Sequence, residues 1–84
     1  MKTRKLLRKI LSGSKNIRFS EMRTLLQAFG FELLRTQGSH HIFGNPEIPE
    51  VVNLQDYKGQ AKPYQVRQVL QLVEKYNLQL EEEV

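Results

Sequence analysis

His40 and His41 stand side by side in the stretch QGSHHIFGNP and are the only two histidines in the chain. Adjacent histidines can ligate a metal, pack, or move protons. A shared metal is disfavoured, because neighbours on a strand project to opposite faces. The chain also has no cysteine, and the nearby carboxylates Glu47 and Glu50 lie beyond a proline-rich turn. Neither a metal nor another cofactor is expected. For packing, the period-two rule puts His41 on one face with Phe43 and His40 on the other with Ile42. Both faces then carry an apolar residue, so the pattern does not say which one meets the core.

Proton transfer is the third possibility. Histidine is the side chain whose ordinary pKa, about 6.5, suits proton exchange near neutrality. The sequence shows no paired-acid motif, no nucleophile elbow and no P-loop. RNA is a substrate for which such sparse equipment suffices. Its 2′-hydroxyl is a built-in nucleophile, so an enzyme need only deprotonate it, hold the phosphate and protonate the leaving 5′-oxygen. DNA has no such group. The Gly38 and Ser39 amides, with the Ser39 hydroxyl, are candidate contacts to a phosphate oxygen.

The elements that must carry this stretch follow from periodicity. Leu6, Leu7, Ile10 and Leu11 predict a short basic amphipathic helix over 3–11, ended by Ser12-Gly13-Ser14. Met22, Leu25, Leu26 and Phe29 form a second helical stripe over 20–29, with Ser20 as N-cap and Gly30 as a left-handed stop. Residues 31–36 and 40–43 flank Gln37-Gly38-Ser39 and read as a β-hairpin. Pro46 and Pro49 break the chain before a third strand at Val51-Val52-Asn53-Leu54. Pro63 opens a last helix over 63–76, striped by Val66, Val69, Leu70 and Val73, with Asn77 as its stop. The expected fold is α+β, in the order α-α-β-β-β-α: a three-stranded antiparallel sheet with helices on one face and the other face free to meet a ligand.

With 84 residues the chain is one small domain, divided into a basic extension (1–18), a core (19–76) and an acidic tail (77–84) expected to fray. Net charge is +4. Residues 1–18 hold Lys2, Arg4, Lys5, Arg8, Lys9, Lys15 and Arg18 with no acid, and Glu81-Glu82-Glu83 close the other end. Clustered basic charge favours polyanions, because binding phosphates releases counterions. The same charge is also consistent with solubility alone. No apolar run spans a bilayer, and Arg8 and Lys9 interrupt what would be a secretory segment, so a cytoplasmic protein is expected.

The run Gly30-Phe31-Glu32-Leu33-Leu34-Arg35, the hairpin Gln37-Gly38-Ser39-His40-His41-Ile42-Phe43, the strand Val51–Leu54, Lys58-Gly59 and Lys62-Pro63 together resemble the HicA-type toxins of bacterial toxin–antitoxin systems, over about residues 19–76. The resemblance implies a fold like double-stranded-RNA-binding domains. It implies an mRNA endonuclease that stops translation and is neutralised by a HicB-type antitoxin. The family motif Gly-Ser-x-His places its catalytic histidine on His41 rather than His40. Gly38 and Ser39 would then hold the phosphate or position His41, His40 would support RNA binding, and Arg35, Lys58 and Lys62 would contact phosphates. One departure stands out: many members carry histidine in the loop after the third strand, where this chain has Gln55-Asp56-Tyr57-Lys58. Two other classes remain open, an RNA-binding module without catalysis and a module that binds only a protein partner.

Overall fold

The computed structural model describes residues 2–13 and 16–80. The chain runs α1 (Lys2–Leu11), α2 (Phe19–Ala28), β1 (Glu32–Gln37), β2 (His40–Gly44), β3 (Val51–Gln55) and α3 (Pro63–Lys75). The three strands form one antiparallel sheet in the order β1-β2-β3. The expected α+β class and element order are therefore realised. The acidic end Glu81–Glu83, Ser14 and Lys15 lie outside the described residues.

The core forms where the helical stripes meet one face of the sheet. Met22, Leu25 and Leu26 from α2, Val69 from α3, and Phe43 and Leu54 from the sheet are all fully buried. Burying such a side chain contributes roughly 1.5–3 kcal/mol. Along β3 burial alternates, with Val52 and Leu54 inside and Val51 and Asn53 outside, as one covered face requires. Because Leu54 pairs with His41 and Val52 with Phe43, the face that carries His41 is the helix-covered one.

All of β1 is exposed, as suits an edge strand. Its register shifts between Leu33 and Arg35, so Leu34 is the extra residue of a β-bulge, and its side chain lies over Gly44.

α2 starts one residue earlier than the stripe predicts, and Ser20 is not its cap. The N-cap is Arg18, whose amide donates to the Glu21 carboxylate at 2.9 Å. The reason is tertiary: Phe19 must sit in the first turn to be buried, at 6 % exposure. The Ser20 carbonyl instead accepts the Thr24 hydroxyl at 2.9 Å. At the other end Gly30 takes φ +91°, the Phe31 amide reaches the Leu26 carbonyl at 3.0 Å, and the Gly30 amide reaches that of Gln27 at 3.0 Å. That is a Schellman stop. α3 ends the same way, with Asn77 at φ +49° and the Leu78 amide on the Val73 carbonyl at 2.9 Å.

α1 docks on α2 through buried Ile10 and partly buried Leu7. Leu11, expected on the packed stripe, is 65 % exposed, at the last residue of the helix. The Lys9 ammonium reaches Glu21 at 3.1 Å and joins the two helices. Glu21 therefore serves as cap partner and ion-pair partner at once. The Arg18 amide, more than Lys9, holds its carboxyl below the usual range, against some burial that pushes the other way. Where α3 ends, the Tyr76 hydroxyl donates to Glu50 at 2.6 Å and Lys75 donates at 3.0 Å, fastening the start of β3 to the helix.

Candidate active site

The hairpin turn explains how His41 is aimed. Gly38 takes φ +59° while Ser39 stays at negative φ, the pattern of a type II′ turn with glycine at its first central position. The turn brings the Ser39 carbonyl back over β2, where it lies 3.1 Å from His41 Nδ1. A carbonyl can only accept, so Nδ1 is the donor and the neutral ring keeps its lone pair on Nε2. The same carbonyl accepts the Asp56 amide at 2.9 Å, which ties the turn to the end of β3. Beneath the ring lies Phe19, centroid to centroid at 4.5 Å and tilted by 51°. His41 is thus held by a backbone oxygen at its edge and an aromatic ring at its face.

His41 lines an open cleft of about 580 Å³ together with Arg18, Phe19, Ser20, Arg23, Asp56, Lys58, Gly59 and Gln60. Arg18, Arg23 and Lys58 bring three cations, and the only carboxylate among these lining residues is Asp56. Its oxygen accepts the Gly59 amide at 2.8 Å. The cleft is therefore electropositive and holds one imidazole among the described residues that line it. A groove of about 630 Å³ runs along α1, lined by Arg4, Leu7, Arg8, Leu11, Phe29, Val73, Leu78, Gln79 and Leu80. It is lined mainly by aliphatic and basic side chains and offers no proton-transfer group of comparable kind.

The wall opposite α2 is a tight turn at residues 57–60. The Tyr57 and Gln60 amides and carbonyls exchange bonds at 3.0 Å, and Lys58 and Gly59 take φ +53° and +82°. Positive φ at both central residues marks a type I′ turn. Two further backbone bonds stitch it and the residue after it to the chain at the start of α2: Phe19 N to Gly59 O at 3.0 Å and Ala61 N to Ile17 O at 2.9 Å. The cleft is assembled from chain positions 18–23, 41 and 56–60 by these bonds.

The expected site residues divide into three groups. Ser39, His41 and Lys58 come together at the cleft or against it, with Gly38 in the turn that shapes it. Lys62 stands at the N-cap of α3 with its ammonium 5.2 Å from the Tyr57 ring, next to the 57–60 turn. His40 and Arg35 lie on the opposite, open face: His40 Nδ1 is 3.0 Å from Asn53 Oδ1, and Arg35 pairs with Ile42. The open sheet face is therefore not the one that carries His41. Sequence reasoning missed Arg18 and Arg23. Their signal was weak but present: Phe19 and Arg23 stand four apart on one face of α2, and Arg18 directly precedes the helix. Among the described residues no group of three or more His, Asp or Glu side chains is gathered to hold a metal ion. No helix among them is long and apolar enough to cross a membrane.

Residues 19–74 match the family model described as HicA toxin of bacterial toxin–antitoxin systems. The matched span starts at the first residue of α2 and ends within α3, so it contains β1, β2, β3 and every cleft residue except Arg18. No curated protein matches the chain, and no solved structure matches it.

Proposed function

This chain belongs to the HicA toxin family of bacterial toxin–antitoxin systems, and from that premise we propose that it is an endoribonuclease that cleaves mRNA and arrests translation, with His41 as its proton-transfer residue. The observation that carries this reading is the Ser39 carbonyl at 3.1 Å from His41 Nδ1. It leaves Nε2 as the basic nitrogen, in a cleft also lined by Arg18, Arg23 and Lys58.

In the proposed reaction Nε2 takes the proton of the 2′-hydroxyl, and the 2′-oxygen bonds to phosphorus. The bond from phosphorus to the 5′-oxygen then breaks, and the 5′-oxygen leaves with a proton from the imidazolium or from solvent. The products are a 2′,3′-cyclic phosphate and a free 5′-hydroxyl. Arg18, Arg23 and Lys58 neutralise the charge that builds on the phosphate. Gly38 and Ser39 act by placing His41, and Lys62 adds positive charge at the rim. The reaction needs no metal, so cleavage should persist in EDTA. The partner is an antitoxin of HicB type, and the site of action is the cytoplasm, where mRNA is.

The test is induction in growing cells together with cleavage in vitro. Wild type should arrest growth and deplete mRNA, while His41→Ala should do neither. A substrate with 2′-deoxyribose at the scissile position should resist the purified enzyme. Equal toxicity of wild type and His41→Ala would overturn the role of His41. RNA that is bound but left intact would replace the enzyme with an RNA-binding module.

A further inference from the structure

We infer that Tyr57 is a stacking platform for one unpaired base of the RNA, with Lys58 and Lys62 holding the phosphates beside it; this rests on the proposal that the cleft takes RNA. Tyr57 is 51 % exposed, and Lys58 Nζ and Lys62 Nζ stand over its ring, 5.6 Å and 5.2 Å from the centroid. A half-exposed aromatic ring that already holds two ammoniums matches the two things an unpaired nucleotide presents: the base takes the ring, and the flexible lysines carry their charge to the phosphate.

The platform is rigid. Tyr57 is the first residue of the type I′ turn, and both of its backbone bonds to Gln60 measure 3.0 Å. The turn is fastened in turn to Phe19, the residue beneath His41, through the Gly59 carbonyl. The backbone that carries the Tyr57 ring is therefore joined to the backbone of the residue beneath the imidazole.

Lys58 joins the two places: it lines the cleft with His41 and stands over the Tyr57 ring. It does so at φ +53°, a backbone conformation a lysine adopts only against a steric cost. That cost is met at the one residue shared by the cleft and the ring. A nucleotide whose phosphate lies at Lys58 can set its neighbouring base on Tyr57. A duplex cannot, since its bases are already paired and stacked. The platform thus selects single-stranded over double-stranded RNA.

The test measures binding by the His41→Ala protein, so that the RNA stays intact, using a fluorescent single-stranded oligoribonucleotide and its duplex. Adding Tyr57→Ala should weaken single-strand binding about tenfold. Adding Tyr57→Phe should keep it within about twofold, since the ring is retained. Duplex affinity should not change with either. Unchanged single-strand affinity on Tyr57→Ala would overturn the platform and leave the cleavage proposal standing. Equal losses for single strand and duplex would also overturn it, by showing that Tyr57 acts only through its turn. A parent protein that binds no RNA at low salt would overturn both proposals.

Discussion

The ring of His41 rests on the ring of Phe19, with centroids 4.5 Å apart and planes inclined at 51°. A core residue at the start of α2 thereby sets the attitude of the imidazole. Phe19→Leu keeps an apolar core but removes the ring. It should cost about 1–1.5 kcal/mol in stability, and it should lower the cleavage rate more than the affinity for RNA. Denaturant unfolding and steady-state kinetics on the same preparation check this. Phe19→Ala should cost about 3–5 kcal/mol, the usual range for emptying a buried aromatic site.

Lys58 offers a trade between stability and function. Asparagine in its place would precede Gly59, giving the Asn-Gly pair that type I′ turns prefer. Lys58→Asn should therefore raise stability by about 0.5–1 kcal/mol. It should also weaken RNA binding and reduce the slope of log affinity against log salt by about one. Thermal melts alongside a salt titration measure both; a slope equal to that of wild type would remove Lys58 from the phosphate contacts.

Glu21 gives the fold a defined acid limit. Its folded carboxyl titrates below the usual value because it accepts the Arg18 amide and pairs with Lys9. A depressed folded pKa contributes stability that is present above the unfolded value and is lost as pH falls through the folded one. Glu21→Gln should thus be less stable than wild type at pH 7, by about 0.5–1 kcal/mol. The gap should close as pH drops below the ordinary carboxylate range. Parallel urea titrations from pH 7 to pH 3 test it, and a gap independent of pH would mean that the charge is irrelevant.

Gly44 looks indispensable but should prove tolerant. A Cβ there would come within 2.7 Å of Leu34 Cδ1, a clash on distance alone. Yet that atom is the tip of a flexible side chain that is 59 % exposed. Leu34 can swing aside, and alanine restricts the unfolded chain more than glycine does. Gly44→Ala should change stability by less than about 0.5 kcal/mol, as read from the midpoint of a melt.

Much of this structure was legible before any coordinates. The stripe Met22, Leu25, Leu26, Phe29 admits one helix, Gly30 and Asn77 stop helices as their types suggest, and Gly38 demands a tight turn. The face on which His41 falls was not legible, because Phe43 and Ile42 are both apolar and alternate along β2. Only the burial of Phe43 in the core shared with α2 and α3 decides it. The membership of the cleft was hidden for a similar reason. Arg18 and Arg23 lie far in sequence from His41 and from Lys58, and backbone bonds at Gly59 and Ala61 bring them together. Arg35 and Arg23 are indistinguishable as letters; the sheet lies between them.

The two bonds from Phe19 to Gly59 and from Ala61 to Ile17 have a bearing on which molecule bends. Both walls of the cleft belong to one hydrogen-bonded unit, anchored in the core by Ile17, Phe19 and Ala61, each buried. Amides at Phe19 and Ala61 should exchange with solvent only in openings as costly as those of the core itself. If the proposed cleavage takes place on this fixed anvil, the distortion that brings a 2′-oxygen in line with its phosphorus has to come from the strand laid upon it. Pliable stretches of a transcript would then be cut ahead of folded ones, whatever bases they carry.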